Sequence, residues 1–354
     1  MSNKLTYRLP LLLAVLSLLL LANNITFAQV PTAKEAVMAE RYPQPEVKFA
    51  GGVTSLADLT YSIIPGYRQL KLDLYLPPGQ LTGARPLVVY VAGGGWAADR
   101  PRNAGPIEDF PGVFVGLAKK GYVVASIRYR LSGEAKFPAA EHDTKTALRW
   151  LRSQAAKYGI DKNRVVIWGS SAGGQLAGLA AVSCGEAKLA PPQVAGNGAT
   201  KVPEESDCVN GAAIWYGIFD FAQMGAPPPN ANPPNAAPNA ANAAPRPPGA
   251  DATFLGCKPG EECAARNNAS AVNFIDANDP PFLLIHGSAD RVVNVKQSQT
   301  MHDALKAKGV KSELIVIPDV DHSFIGKTPE ATHAATNQAL KRTLEFIDEI
   351  LKAK

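Results

Sequence analysis

The chain has 354 residues, enough for one large α/β domain or two ordinary ones. Hydrophobic residues make up 46% and charged residues 19%, a globular composition able to bury a sizeable core, which excludes a chain disordered throughout. The net charge of +5 falls to about +3 without Lys4 and Arg8, and the basic residues are scattered without interleaved aromatics, so nucleic acid is not an expected partner.

The N-terminus has the layout of a secretory signal peptide. Lys4 and Arg8 precede an apolar run from Leu9 to Leu21, and Thr26 and Ala28 stand at −3 and −1 of a cleavage site before Gln29. Residues 1–28 are therefore expected to be removed, leaving residues 29–354 as a single domain in a secreted or periplasmic protein. The rival reading is an uncleaved anchor, since the run is near the lower limit for spanning a bilayer. No later segment is long and apolar enough to cross, so no stable membrane span is expected after cleavage.

A short polar lead-in reaches about Leu56. Lys71 to Leu76 then alternates polar and apolar residues, as a half-exposed strand does. Leu87–Val91, Tyr122–Ile127, Val165–Trp168, Ala212–Tyr216, Phe282–Ile285 and Leu314–Ile317 are short, nearly continuous apolar runs, suited to strands buried on both faces of a mainly parallel sheet. Between them, Thr144–Tyr158 places Ala147, Leu148, Leu151, Ala155 and Tyr158 on one helical face, with Gly159 as the stop. A last helix is expected over Ala331–Leu351, with Leu340, Leu344, Ile347 and Leu351 at helical spacing. Strand and helix alternate to the end, which predicts a three-layer α/β domain. One segment breaks the rhythm: residues 226–250 are almost entirely Pro, Ala and Asn, cannot bury a core, and read as an extended insertion.

The four cysteines, Cys184, Cys208, Cys257 and Cys263, allow three disulfide connectivities, of which the sequential pairing closes the shortest loops. Their spacings and the absence of a neighbouring His do not resemble a zinc site.

The chemistry concentrates at Gly169-Ser170-Ser171-Ala172-Gly173, a G-x-S-x-G between the strand Val165–Trp168 and an apolar, small-residue helix. A serine on that turn projects its hydroxyl above the sheet, and the helix N-terminus aims free N–H groups at a developing anion. A serine hydroxyl needs a base, with a carboxylate to orient it. Of five histidines, His322 lies in a loop just past the strand Leu314–Ile317, where such a base belongs; His286 ends a strand and reads as structural, and His142, His302 and His333 lie on or beside helices. Asp290, in the turn after Phe282–Ile285, is the expected acid. Asp319 and Asp321 are too close in sequence to His322, and Asp276 and Asp279 fall at the wrong end of the strand. Gly93-Gly94-Gly95, at the end of an earlier strand, supplies backbone donors for an oxyanion, with Ala172 N–H as the remaining one.

This constellation resembles the esterase branch of the α/β-hydrolases that includes hormone-sensitive-lipase-like and bacterial feruloyl or acetyl (xylan) esterases. Tyr129-Arg130-Leu131, Phe137-Pro138-Ala139-Ala140, Asp143, Leu148-Arg149-Trp150-Leu151 and Trp215-Tyr216-Gly217 agree with it. The resemblance implies an α/β-hydrolase fold, a Ser171–Asp290–His322 triad, an oxyanion hole from Gly94, Gly95 and Ala172, and Asp143 as a structural anchor. It implies hydrolysis of short-chain or aryl esters, including acetyl or feruloyl groups on carbohydrates, without metal or organic cofactor. The alternative is an amide hydrolase, a formamidase or a prolyl-oligopeptidase-like peptidase. Relatives usually carry His at the position of Ala92, and the departure is expected to loosen the glycine loop.

Overall fold

The computed structural model describes residues 45–79, 83–193, 196, 198–224, 249–257 and 263–352. The signal segment, and the Pro/Ala/Asn insertion apart from Gly249 and Ala250, lie outside the described residues.

Nine strands form one sheet: β1 (Glu46–Lys48), β2 (Thr54–Ser62), β3 (Leu70–Leu76), β4 (Arg85–Val91), β5 (Val123–Ile127), β6 (Ile160–Ser170), β7 (Gly211–Trp215), β8 (Phe282–Gly287) and β9 (Ser312–Ile317). Their order is β1-β2-β3-β5-β4-β6-β7-β8-β9. From β5 to β9 every neighbouring pair is parallel, while β1, β2 and β3 join antiparallel at one edge. The sheet is thus mainly parallel, as the continuous apolar runs require.

Successive residues of a strand point to opposite faces, so each central strand feeds two cores. Leu87, Val89, Val165 and Ile167 pack on one face with Leu148 and Leu151 of α2 (Ala139–Ser153) and with Leu176 and Leu179 of α4 (Ala172–Val182). Val88, Tyr90, Val166 and Trp168 pack on the other with Phe110 and Phe114 of α1 (Phe110–Lys119) and with Phe346 and Ile347 of α8 (Pro329–Lys352). Each such side chain fully withdrawn from water stabilises by roughly 1.5–3 kcal/mol.

Four expectations need correction. The polar lead-in contains β1 and the first three residues of a nine-residue strand, β2, whose weak pattern reflects its place near the antiparallel edge. β3 is buried rather than half-exposed, because Asp73 is shielded and paired with Arg102 at 2.7 Å while Tyr75 packs on Phe114. β9 is the opposite sheet edge and half-exposed, not covered on both faces. Finally, the helix expected from Thr144 begins at Ala139 and is interrupted at Gln154, with α3 (Ala155–Tyr158) following; Gly159 then stops it in the left-handed conformation, φ 63°, as predicted. On α8 the buried stripe runs through Ala339, Thr343, Phe346, Ile347 and Leu351, with Leu340 and Leu344 at its margin.

The described residues between β7 and β8 include two short α-helices, α5 (Ala250–Leu255) and α6 (Ala264–Ala269), and α7 (Lys296–Ala307) precedes β9. Disulfides join Cys184 to Cys208 and Cys257 to Cys263, the sequential pairing. Among the described residues no helix is long and apolar enough to cross a membrane.

Candidate active site

Ser171 stands between the last residue of β6 and the first of α4, with φ 53° and ψ −122°. This backbone strain is held by the surroundings. Ser171 N–H donates to Trp215 O on the neighbouring strand at 2.9 Å. A Cβ on Gly173 would run into Val91 O and Ala92 O, and one on Gly169 into Gly173 O, so both glycines are needed for the helix to approach the strand ends.

Asp290 and His322 come from the carboxyl ends of β8 and β9 and converge on this turn. Ser171 Oγ lies 3.0 Å from His322 Nε2, and His322 Nδ1 lies 2.8 Å from Asp290 Oδ2. The carboxylate side makes Nδ1 the donor, which leaves Nε2 to accept from the serine hydroxyl. Asp290 Oδ1 accepts from Val292 N–H at 2.9 Å and Val293 N–H at 2.8 Å. Burial alone pushes the Asp290 carboxyl up, but donors from His286 and His322, together with the His322 charge and the Val293 amide, hold it well below the usual carboxylate range. A hydroxyl, imidazole and carboxylate in this line can transfer the serine proton to the ring and stabilise the charge that appears there.

The three glycines border the same cleft of about 550 Å³, with Ser170, Ser171, Tyr216 and His322. Gly94 and Gly95 both have positive φ, 136° and 59°, and Ala172 is the buried first residue of α4. Gly93 approaches the nucleophile turn most closely: a Cβ there would sit 2.7 Å from Ser170 O and 3.2 Å from Ser171 Cβ. At Ala92, where a loosened loop was expected, the carbonyl accepts a hydrogen bond from the buried Tyr129 hydroxyl at 3.0 Å.

The remaining candidates fall elsewhere. Asp321 pairs with Arg291 and caps His322 N–H at 2.7 Å, on the backbone side and not behind the ring. Asp276 and Asp279 bond within their own turn, Asp276 N–H to Asp279 Oδ2 at 2.9 Å. Asp143 is buried and accepts from Arg130 N–H at 2.8 Å and from its guanidinium at 2.7 Å, the geometry of an anchor. His302 Nδ1 lies 2.9 Å from Ser312 Oγ, satisfied locally. His142 is different: its Nε2 is buried and unpartnered, and burial pushes the ring down to about 4.

Three supporting groups had no role at the site assigned from the sequence. Tyr216, with φ 39°, sets its ring edge-on to His322 at 4.7 Å between centroids. Trp96 Nε1–H donates to Gln175 Oε1 at 3.0 Å, and the Trp96 ring stacks on Phe254 at 4.4 Å. This ties the glycine loop to the helix behind Ser171; the signal was the position of each residue just after its glycine motif. His286, read as structural, is fully buried and also reaches Asp290.

A mainly parallel sheet with helices on both faces, carrying this serine turn and these two loops, defines the α/β-hydrolase fold. The chain belongs to the BD-FAE family, whose profile matches residues 72–305. Among curated proteins it is similar to esterase LipQ of Mycobacterium tuberculosis, 27% identical over 83% of this chain and 64% of LipQ, so it spans somewhat less than two thirds of that relative. Among solved structures it is similar to a truncated carbohydrate esterase from gut microbiota, 27% identical with a TM-score of 0.65, covering 86% of this chain and 99% of that one. The apo form of Thermogutta terrifontis esterase 2, at 23% identity over 86% of this chain and 96% of that one, shares the fold with a TM-score of 0.62.

Proposed function

We propose that this protein is an exported serine carboxylic-ester hydrolase acting by two-step acyl transfer. The observation that carries the proposal is the continuous line from Ser171 Oγ through His322 to Asp290, at 3.0 and 2.8 Å. Ser171 Oγ attacks the ester carbonyl carbon as His322 Nε2 takes its proton. The carbonyl oxygen becomes an oxyanion facing N–H groups of Gly94, Gly95 and Ala172, each such donor worth about 3 kcal/mol. As the C–O bond to the alcohol breaks, His322 returns the proton to the leaving oxygen. Water then attacks the acyl-serine with the same ring as base, releasing the acid and restoring Ser171.

The names of the relatives support ester chemistry, and the gut-microbiota carbohydrate esterase supports a carbohydrate ester among the substrates. Two exposed apolar side chains, Val292 and Ile325, border the cleft and suit a short acyl or aryl group. The paired cysteines fit an oxidising compartment, secreted or periplasmic.

The test is hydrolysis of 4-nitrophenyl esters from acetate to decanoate, with Ser171→Ala beside the wild type. Turnover greatest at short chains and lost in the variant supports the reading. Turnover of peptide or formamide substrates in place of esters would replace it with an amide hydrolase.

A further inference from the structure

Among the described residues, one arginine, Arg100, borders the cleft together with Ser171 and His322, and none of those bordering residues is Asp or Glu. Neighbouring arginines are all neutralised: Arg68 by Glu134 at 2.7 Å, Arg102 by Asp73 at 2.7 Å, Arg128 by Asp99 at 3.4 Å and Arg130 by Asp143 at 2.7 Å. Among the described residues Arg100 alone of these has no carboxylate partner, and it is the one that reaches the cleft.

Its backbone is fixed. Asn103 N–H donates to Arg100 O at 3.1 Å, closing a turn whose far end also borders the cleft. The Tyr90 hydroxyl donates to Asn103 O at 3.0 Å, Ser126 Oγ donates to Pro101 O, and Arg102 is drawn away to Asp73. A turn held by these bonds therefore sets Arg100 and Asn103, whose guanidinium and carboxamide can both donate, at the border of the space where an ester would bind. A planar five-donor group left unpaired there matches a carboxylate.

We infer that Arg100 is a specificity-determining residue that recognises a carboxylate, so that the preferred ester carries an anionic carboxylate on its acyl or its alcohol portion. This rests on the ester-hydrolase reading for the chemistry, though not for the anion site. A dicarboxylic half-ester places the charge on the acyl side, and an acetylated uronic-acid sugar places it on the alcohol side.

Two matched pairs separate these sources: 4-nitrophenyl hydrogen glutarate against its methyl ester, and 2-O-acetyl methyl glucuronoside against 2-O-acetyl methyl glucoside. The readout is the ratio of kcat/KM, anionic over neutral, for wild type, Arg100→Gln and Arg100→Glu. For the pair that places its charge correctly, the ratio is expected to fall about 5-fold in Arg100→Gln and further in Arg100→Glu. It is also expected to shrink in the wild type as salt rises from about 10 to about 300 mM. Ratios unchanged by both substitutions in both pairs would overturn the inference while leaving Ser171-dependent turnover of the neutral esters, and hence the ester-hydrolase reading, intact. If no ester is turned over, calorimetry of the same pairs with Ser171→Ala decides: tighter binding of an anionic member, lost on adding Arg100→Gln, upholds the anion site, and equal binding rejects it.

Discussion

His286 and His322 meet at one atom: Asp290 Oδ2 lies 3.2 Å from His286 Nε2 and 2.8 Å from His322 Nδ1. His286 Nε2 is also 2.8 Å from Val293 O, which can only accept, so that nitrogen carries the proton. The other nitrogen, Nδ1, lies 2.7 Å from Ser298 Oγ. His286 thus donates to the carboxylate that orients His322 and competes for its charge.

Replacing His286 by Leu removes that competing donor. Asp290 then keeps the bonds from His322 Nδ1–H and the Val292 and Val293 amides but loses one side-chain donor. The kcat falls about 10-fold through poorer orientation of Asp290, with KM little changed. The unpaired Val293 carbonyl costs about 1–3 kcal/mol of stability. Steady-state kinetics beside thermal melting of the variant decides: loss of stability with an unchanged kcat would make His286 a packing residue only.

The Tyr129 hydroxyl holds Ala92 O at 3.0 Å, immediately before the glycine loop. Tyr129→Phe frees the loop and is expected to lower kcat about 10-fold, a loss of about 1.4 kcal/mol in transition-state stabilisation, with KM nearly constant. Steady-state kinetics on a short-chain ester checks it. A raised KM with unchanged kcat would mean that the bond serves substrate binding instead.

Much of this was legible before the structure because glycine and serine motifs are local. The turn at Ser171 is written in Gly169 and Gly173, whose missing side chains allow the close backbone approach. His322 and Asp290 were readable because each follows an apolar run that becomes a parallel strand, β9 or β8. The partners that hold them are tertiary. Tyr216, His286 and Gln175 reach the site from strand ends and a helix flank, and no periodicity distinguishes them from core residues. β2 was missed for a related reason: at the antiparallel edge, one face half-exposed, its residues carry no continuous apolar run. Arg100 was invisible because a lone basic residue gains meaning only from the carboxylates its neighbours have and it lacks.

Glu141 on α2 is fully buried, and both its carboxyl oxygens lack a partner. Burial pushes the carboxyl up to about 8, with the nearby Lys145 charge only partly opposing it. The folded protein therefore keeps a proton that the unfolded chain releases near its ordinary value of 4.5, so stability falls as pH rises from there towards 8. Glu141→Gln keeps the shape without the ionisation. Its melting temperature is expected to match the wild type near pH 4 and to exceed it increasingly up to pH 8, by a few kcal/mol (order of magnitude) in stability. Equal pH dependence for the two proteins would show that Glu141 is ionised and paired when folded.

The central claim is that Ser171 is a covalent acyl acceptor activated by His322. The most direct measurement is the intact mass of the native protein after treatment with a fluorophosphonate, run beside Ser171→Ala and His322→Gln. The account predicts a single adduct in the wild type, mapped to Ser171, absent in Ser171→Ala and formed at least about 100-fold more slowly in His322→Gln. A wild type that stays unmodified, or an adduct that persists in Ser171→Ala, would contradict it.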